Sequence, residues 1–184
     1  MKAKLNKIAV FCGSNHGIRQ EYTEATNQLA KSLFDANISL VYGGANVGLM
    51  GVLANQMLEL GGEVIGVLPQ NLIEWEVAHR DITKLHIVPT MHERKVMMMN
   101  LADGFVMLPG GAGSLDEFFE VVTLAQLGLH KKPCGLLNTA GYYDLLISFL
   151  EHSVTEGFIK NGYRDLFMIE NHPDQLLQRF LQPA

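Results

Sequence analysis

A glycine-rich segment that ends in a carboxylate is the stretch of this sequence best suited to chemistry. It runs from Leu108 to Glu117 and reads LPGGAGSLDE. An apolar run, residues 104–108, precedes it, and apolar residues at helical spacing follow from Phe118 onward. The pattern predicts a strand, a glycine turn and a helix that begins near Ser114. Ser114 would cap this helix, with Glu117 at the capping-box position three residues later.

The predicted turn is suited to binding an anion. Glycines permit positive φ and allow a ligand to approach the backbone closely. The unpaired N–H groups and the positive dipole at the start of a helix favour phosphate. We therefore expect substrate contacts from the residues of the turn, which are Gly110, Gly111, Ala112, Gly113 and Ser114. Glu117 then has two interpretations: a helix cap alone, or a carboxylate beside the sugar of a bound phosphate ester.

Alternating strands and helices must position this turn. Short apolar runs predict strands at 8–12, 39–42, 63–68, 85–88, 104–108, 133–137 and 166–169, with helical patterns between most of them. Because the strands are apolar on both faces, we predict an α/β fold: a Rossmann-like, doubly wound parallel sheet with helices on both faces. The chain of 184 residues suits a single nucleotide-binding domain, residues 1–184. Residues 70–80, which include Trp75, are predicted as a loop or short helix over the carboxyl edge.

Three of the predicted strands end in glycine, at Gly13, Gly43 and Gly110. Ligands of doubly wound sheets bind outside the carboxyl ends of the strands. We therefore expect Gly13 and Ser14, and likewise Gly43 and Gly44, to share a substrate cleft with the turn at Gly110. The alternative is that these glycines serve turn geometry alone.

Two common nucleotide-binding motifs are absent from the sequence. Neither GxGxxG nor GxxxxGK[ST] occurs, and the second predicted strand ends in glycine where an NAD site would place an acidic residue. These absences argue against NAD and ATP. They do not argue against a smaller phosphorylated ligand.

Composition excludes several other classes of protein. The net charge of −5 and the lack of basic runs argue against nucleic-acid binding, and no apolar run reaches the roughly 18 residues of a membrane span. The N-terminus shows no signal peptide. Cys12 and Cys134 lack metal-binding or CxxC spacing, which favours buried thiols in the reducing cytoplasm. His79, His86 and His92 fall on different predicted elements, so we expect no metal site.

The motifs resemble those of one protein family. The segment Pro109–Glu117 resembles the PGGxGTxxE motif of the LONELY GUY (LOG) family, which are cytokinin riboside 5′-monophosphate phosphoribohydrolases often mislabelled lysine decarboxylases. Arg94-Lys95 is similar to the family's Arg-Lys pair. Residues 121–143, Gly13-Ser14 and Tyr42-Gly43-Gly44 also look like the family, so the resemblance covers nearly the whole chain. Ser114 replaces the motif's threonine but keeps the hydroxyl, and Asn15 stands where a second serine is common.

The resemblance implies a Rossmann-like homodimer that cleaves the N-glycosidic bond of a nucleoside 5′-monophosphate, giving free base and ribose 5-phosphate. It implies no metal or organic cofactor. Glu117 would stabilise the oxocarbenium-like sugar or activate water. Arg94 would be a fixed cation that binds phosphate or stabilises charge on the departing base. Lys95 and Glu120 are further predicted substrate-binding residues, and the base is either adenine or an N6-prenylated adenine.

Two other functions fit parts of the sequence. A non-catalytic nucleotide or molybdenum-cofactor carrier would share the glycine-rich architecture, although a carrier needs no carboxylate at the sugar. A lysine decarboxylase normally uses pyridoxal phosphate on a lysine, and no lysine context in this sequence supports that chemistry. The apolar stretch 96–101 exceeds what one helix face needs, which favours a homodimer over a monomer.

Overall fold

Seven parallel strands form the centre of the protein in a computed structural model that describes residues 5–73, 78–160 and 162–182. The strands are β1 Lys7–Phe11, β2 Ser39–Tyr42, β3 Val64–Pro69, β4 Lys84–Val88, β5 Gly104–Met107, β6 Cys134–Leu137 and β7 Met168–Glu170. Their order across the sheet is β4-β3-β2-β1-β5-β6-β7. The predicted Rossmann-like doubly wound fold is confirmed, and each strand begins and ends within two residues of its prediction.

Seven α-helices connect or follow the strands in the described part of the chain. They are α1 Gln20–Asp35, α2 Gly48–Glu59, α3 Gln70–Ile73, α4 Met91–Leu101, α5 Ala112–Gln126, α6 Asp144–Thr155 and α7 Pro173–Leu181. Helix α3 confirms a short helix at the start of the 70–80 segment. Trp75 lies outside the described residues. None of the described helices is long and apolar enough to cross a membrane.

The helices form a layer on each face of the sheet, and each layer encloses its own core. Leu29, Leu53 and Phe180 belong to the core under α1, α2 and α7. Phe118 and Leu150 belong to the opposite core under α5 and α6. The central strands are buried between these layers, which explains why their sequences are apolar without alternation.

The strand order reverses between β1 and β5, and the loops that leave these two strands lie very close together. The Gly13 N–H donates to the Pro109 carbonyl at 3.0 Å. A Cβ on Gly110 would lie 2.9 Å from the Gly13 nitrogen and 2.2 Å from the Ser114 hydroxyl oxygen. Only glycine allows this approach, so the glycines fix the shape of the crevice in which doubly wound proteins bind their ligands.

The β1 loop also rests directly on the start of α2. Leu49 N–H donates to the Gly13 carbonyl at 3.0 Å, and Gly48 has a φ of +53°. A Cβ on Gly48 would lie 2.2 Å from the carbonyl carbon of Ser14. The backbone of Gly13 and Ser14 is therefore held from both sides, by the β5 loop and by α2.

Helix α4 begins at Met91, directly after Thr90. The Thr90 hydroxyl accepts a hydrogen bond from the Glu93 N–H at 3.2 Å, which is N-cap geometry. Thr90 and Glu93 also have the spacing of a capping box. This cap sets the start of the helix that carries Arg94.

Candidate active site

An open cleft of about 350 Å³ lies at the carboxyl edge of the sheet, beside the point where the strand order reverses. Four elements surround it: the loop after β1, the first turn of α2, helix α4 and the first turns of α5. Its lining residues are Cys12, Gly13, Ser14, Met50, Met91, Arg94, Lys95, Gly111, Ala112, Gly113, Ser114, Asp116 and Glu117. The volume is within the range of small-molecule sites.

An ion pair between Arg94 and Glu117 forms one wall of the cleft. Arg94 Nη1 lies 2.6 Å from Glu117 Oε1, and each side chain is only 11% exposed. Arg94 Nε also donates to the Val67 carbonyl at 3.0 Å, so the guanidinium is anchored at two points. A Cβ on Gly43 would lie 2.1 Å from Arg94 Nη2. The glycine at the end of β2 therefore makes room for the arginine.

Burial and the arginine act on Glu117 in opposite directions. Burial raises the pKa of the Glu117 carboxyl, because the charged form loses hydration, while the neighbouring Arg94 lowers it. Burial is the larger effect, so the pKa lies above that of an exposed glutamate. Cys12 lies at the floor of the same cleft, and burial together with the Glu117 charge raises the pKa of its thiol. The thiol therefore stays protonated at neutral pH and behaves as a small apolar group.

Lys95 links α4 to α5 a second time. Its ammonium lies 2.8 Å from Glu120 Oε2 and 3.1 Å from Asp116 Oδ2. The hydrogen bond to Glu120 is the main cause that raises the pKa of Lys95, and Asp116 adds to it. Two ion-pair systems thus hold the first turns of α5 against α4, one through Arg94 and one through Lys95.

The start of α5 provides the predicted anion site with backbone groups. Gly111 is the N-cap residue in an extended conformation, and the helix begins at Ala112. The Leu115 N–H donates to the Gly111 carbonyl at 3.2 Å. Ala112, Gly113 and Ser114 come before Leu115 in the helix, so their N–H groups have no carbonyl partner within the helix. All three residues line the main cleft. With the helix dipole, these N–H groups are chemically suited to a phosphate group.

The predicted capping role of Ser114 is wrong. Ser114 is the third residue of α5, and it is only 4% exposed, with its hydroxyl beside Gly110. The helix starts two residues earlier because Gly111 completes the turn without a side-chain cap. Glu117 therefore does not form a capping box with Ser114. The Glu117 carboxylate accepts a hydrogen bond from Arg94 on α4. This contact also rules out the interpretation of Glu117 as a helix cap alone.

Comparison with known proteins identifies the family. The sequence model of a family described as "Possible lysine decarboxylase" matches residues 50–180. Cytokinin riboside 5′-monophosphate phosphoribohydrolase LOG5 of Arabidopsis thaliana is 41% identical over 179 residues, which are 97% of this chain and 78% of that protein. The chain belongs to the LOG family. A phosphoribohydrolase of the same name from Rhodococcoides fascians is 45% identical over 163 residues, covering 88% of this chain and 82% of that protein.

Solved structures share the fold at lower sequence identity. The molybdenum cofactor binding protein from Rippkaea orientalis has a TM-score of 0.71 and 20% identity, covering 98% of this chain and 99% of that one. The molybdenum cofactor carrier protein from Chlamydomonas reinhardtii has a TM-score of 0.69 and 19% identity, covering 97% and 99%. At this identity the similarity shows the architecture alone, which the LOG family shares with these proteins.

Most of the site residues predicted from the LOG motifs line the main cleft, and four of the described residues lie outside its lining. Gly110 faces a neighbouring cleft, and Glu120 contacts Lys95 instead of the cleft. Gly43 abuts Arg94, while a Cβ on Gly44 would meet Leu68 and Leu85 at 3.2 Å. A direct contact with substrate stays a prediction for all of the predicted site residues, inside or outside the lining.

Sequence reasoning missed four cleft residues, which are Cys12, Met50, Met91 and Asp116. Cys12 ends the first predicted strand and Asp116 stands inside the LOG motif, so their positions carried a signal. Met50 and Met91 gave none, because a methionine near the start of a helix is more often part of the core. Within the described ranges, no group of three or more His, Cys, Asp or Glu side chains is arranged to hold a metal.

The buried ion pair generates a test of stability against pH. In Arg94→Ala the Glu117 carboxylate loses its partner, so the folded-state pKa of Glu117 rises further above its unfolded value. The carboxyl is neutral in both states below the ordinary glutamate range. The destabilisation therefore develops as the pH rises through the raised folded-state pKa. We expect Arg94→Ala to lose about 3 kcal/mol of unfolding free energy at pH 8 and clearly less at pH 5.

Urea unfolding at the two pH values measures this difference. The control is Arg94→Ala combined with Glu117→Gln, which removes both members of the ion pair and should show the same loss at both pH values. An equal loss for Arg94→Ala alone at pH 5 and pH 8 would mean that Glu117 is not a buried charge that depends on the arginine.

Proposed function

We propose that this protein hydrolyses the N-glycosidic bond of adenosine 5′-monophosphates, giving a free base and ribose 5-phosphate. The observation that carries the proposal is the Arg94–Glu117 ion pair, which stands one helical turn beyond a backbone phosphate site. The named activity of the LOG relatives from Arabidopsis thaliana and Rhodococcoides fascians supports the same conclusion.

The spacing along α5 suits a ribose 5-phosphate. A phosphate bound by the N–H groups of residues 112–114 fixes one end of the ligand. Glu117 follows Ser114 by three residues, which is about 4.5 Å along the helix axis. The anomeric carbon of a ribose held by its 5′-phosphate would therefore come near the Glu117 carboxylate. Binding at the phosphate end would in this way orient the reacting carbon.

Glu117 and Arg94 have complementary roles in the reaction. The bond between the anomeric carbon and the base nitrogen breaks, and positive charge develops on the sugar. The Glu117 carboxylate stabilises that charge and orients the attacking water. The water oxygen bonds to the carbon, and its proton is transferred to the departing base. Arg94 keeps Glu117 fixed and stabilises the negative charge that collects on the base.

Lysine decarboxylation, the activity in the family description, fits the cleft poorly. A Schiff-base lysine must be able to lose its proton. Lys95 is the lysine of the cleft lining, and its carboxylate partners raise its pKa instead of lowering it. The non-catalytic carrier function, in turn, gives no reason for a buried carboxylate held by an arginine beside the sugar.

Two methionines of the cleft bear on which nucleotide base the substrate carries. Met50 and Met91 line the cleft near Arg94, and the Met91 sulfur lies 3.3 Å from Arg94 Nη1. These flexible apolar side chains suit a planar base and can adapt to an N6 substituent. We propose that both adenine and N6-prenylated adenine nucleotides are substrates.

We also propose that the protein acts in the cytoplasm. Both cysteines, Cys12 and Cys134, are buried free thiols. A reducing compartment maintains such thiols.

We propose further that the protein is a homodimer. Several large apolar side chains are exposed at the end of α5 and on α6. They are Leu127, Leu129, Leu145 and Phe149. Within residues 96–101 of α4, only Met98 is fully buried. Apolar area left uncovered in this way favours association with a second copy. We expect a dimer by light scattering at micromolar concentration, and a monomer would contradict the proposal.

Removing the charge of Glu117 should abolish most of the turnover. We expect Glu117→Gln to reduce kcat on AMP by at least about a hundredfold, because the developing sugar cation loses its carboxylate. Asp116→Asn, a change at the neighbouring and more exposed carboxylate, should cost less than about tenfold. The pH profile adds a second readout: because burial raises the pKa of Glu117, the acidic limb of kcat/KM should lie above the ordinary glutamate range. Near-normal turnover of Glu117→Gln would exclude the catalytic role.

The phosphate should decide which substrates are used. Its binding orients the ribose, so we expect kcat/KM for AMP to exceed that for adenosine by about two orders of magnitude. Ser114→Ala removes a hydroxyl at the phosphate site and should reduce use of the monophosphate more than use of the nucleoside. The measurement is base release from AMP, adenosine and the N6-isopentenyl pair, by wild type and Ser114→Ala. Equal efficiency on nucleoside and monophosphate would contradict the phosphate site.

A further inference from the structure

Two consecutive tyrosines hold the glycine turn from the side opposite α4. The Tyr142 hydroxyl donates to the Gly110 carbonyl at 2.8 Å, and the Tyr143 hydroxyl donates to the Leu108 carbonyl at 2.8 Å. Tyr143 is 3% exposed, whereas Tyr142 is 43% exposed. Tyr142 lines a smaller cleft of about 190 Å³, which adjoins the main cleft and shares three lining residues with it, Gly111 among them.

The turn after β6 places these tyrosines. Ala140 and Gly141 both have positive φ, 52° and 71°, which reverses the chain directly before Tyr142. The Asn138 side-chain oxygen accepts the Tyr143 N–H at 2.7 Å, and its amide nitrogen donates to Asp144 at 2.7 Å. A non-glycine residue at positive φ is strained, so the surrounding hydrogen bonds maintain this geometry. The position of both phenol rings is therefore built into the fold.

The Tyr142 bond has a consequence for the phosphate site. The Gly110 carbonyl and the Gly111 N–H belong to one trans peptide unit, in which the C=O and N–H bonds point in opposite directions. Tyr142 holds the carbonyl toward the smaller cleft. The Gly111 N–H is thereby directed away from Tyr142, and Gly111 also lines the main cleft at the start of α5.

The backbone torsion angles on either side of this peptide unit allow it to rotate. Both of its residues are glycines, and a Cβ on Gly111 would meet nothing within 4 Å. A half-turn rotation of the unit would carry φ of Gly111 from −93° to about +90°, a value that glycine accepts and other residues resist. The flipped unit would point a carbonyl, not an N–H, at a bound phosphate.

We propose that Tyr142 is a positioning residue, whose hydroxyl holds the Gly110–Gly111 peptide in the orientation that presents the Gly111 N–H to the substrate phosphate. The inference rests on the proposed function for the identity of the ligand. Tyr143 has a different role, because its hydroxyl contacts the Leu108 carbonyl and the Gly110 N–H, and neither group belongs to the Gly110–Gly111 peptide unit. Tyr143 anchors the end of β5, whereas Tyr142 determines whether the Gly110–Gly111 peptide presents its N–H or its carbonyl to the ligand.

The first test measures binding of ribose 5-phosphate by calorimetry to wild type and Tyr142→Phe. Phenylalanine keeps the ring packing against Tyr143, at 4.7 Å between centroids, and against Tyr22, at 5.5 Å. We expect the dissociation constant to rise about fivefold, the effect of one lost hydrogen bond, with the melting temperature within about 2 °C of wild type. Tyr22→Phe removes a hydroxyl from the same small cleft and should change binding less than about twofold.

A double-mutant cycle separates orientation of the peptide from direct contact of Tyr142 with the ligand. Alanine at position 111 resists the positive φ of the flipped state, so the peptide no longer needs Tyr142 to hold it. We expect Tyr142→Phe to weaken ribose 5-phosphate binding about fivefold in the wild-type background and less than about twofold in the Gly111→Ala background. The ratio between backgrounds is the readout, whatever Gly111→Ala does alone.

The outcomes distinguish this inference from the proposed function. Unchanged binding by Tyr142→Phe, or the same loss in both backgrounds, overturns the positioning role even if AMP is hydrolysed. The expected coupling without base release from AMP would support the positioning role and contradict the proposed hydrolysis. A wild-type protein that does not bind ribose 5-phosphate would overturn the inference together with the phosphate site.

Discussion

The buried ion pair between Arg94 and Glu117 is the contact on which the arrangement of the site depends. It joins helices on the same face of the sheet, and neither charge is stable there without the other. The strand ends contribute to it, because Val67 accepts from the guanidinium and Gly43 leaves the space that the guanidinium occupies. A carboxylate in this position is both partly desolvated and fixed in direction, which are the two properties that stabilisation of a developing cation requires.

The cations of the site are already paired before any ligand binds. Arg94 faces Glu117, and Lys95 faces Asp116 and Glu120. The phosphate site is therefore assigned to backbone N–H groups at the start of α5 and not to free side-chain charge. Such groups are held by the fold, so they need no rearrangement when an anion binds. In the proposed reaction, this division leaves the charged side chains to orient one another and leaves Glu117 to act at the sugar.

Close backbone packing defines the other wall of the site. The loops after β1 and β5 approach so closely that a side chain on Gly110 would strike Ser114, and the tyrosines after β6 fix the same turn from outside. The glycines supply the space, and the tyrosines remove the freedom that glycine brings with it. The binding loop is thus ordered by three strands and by α2, although its own sequence is permissive.

The sequence by itself determined the fold class, the strands and most, but not all, of the residues that line the cleft. Apolar strands without alternation require helices on both faces, and the resemblance to the LOG family implied that Arg94 and Glu117 belong to one site. Only the tertiary structure decided where α5 begins, that Ser114 is not its cap, and that Gly43 accommodates an arginine. These features depend on contacts between residues far apart in the chain, such as Tyr142 with Gly110. Local sequence patterns do not show which distant residues will come into contact.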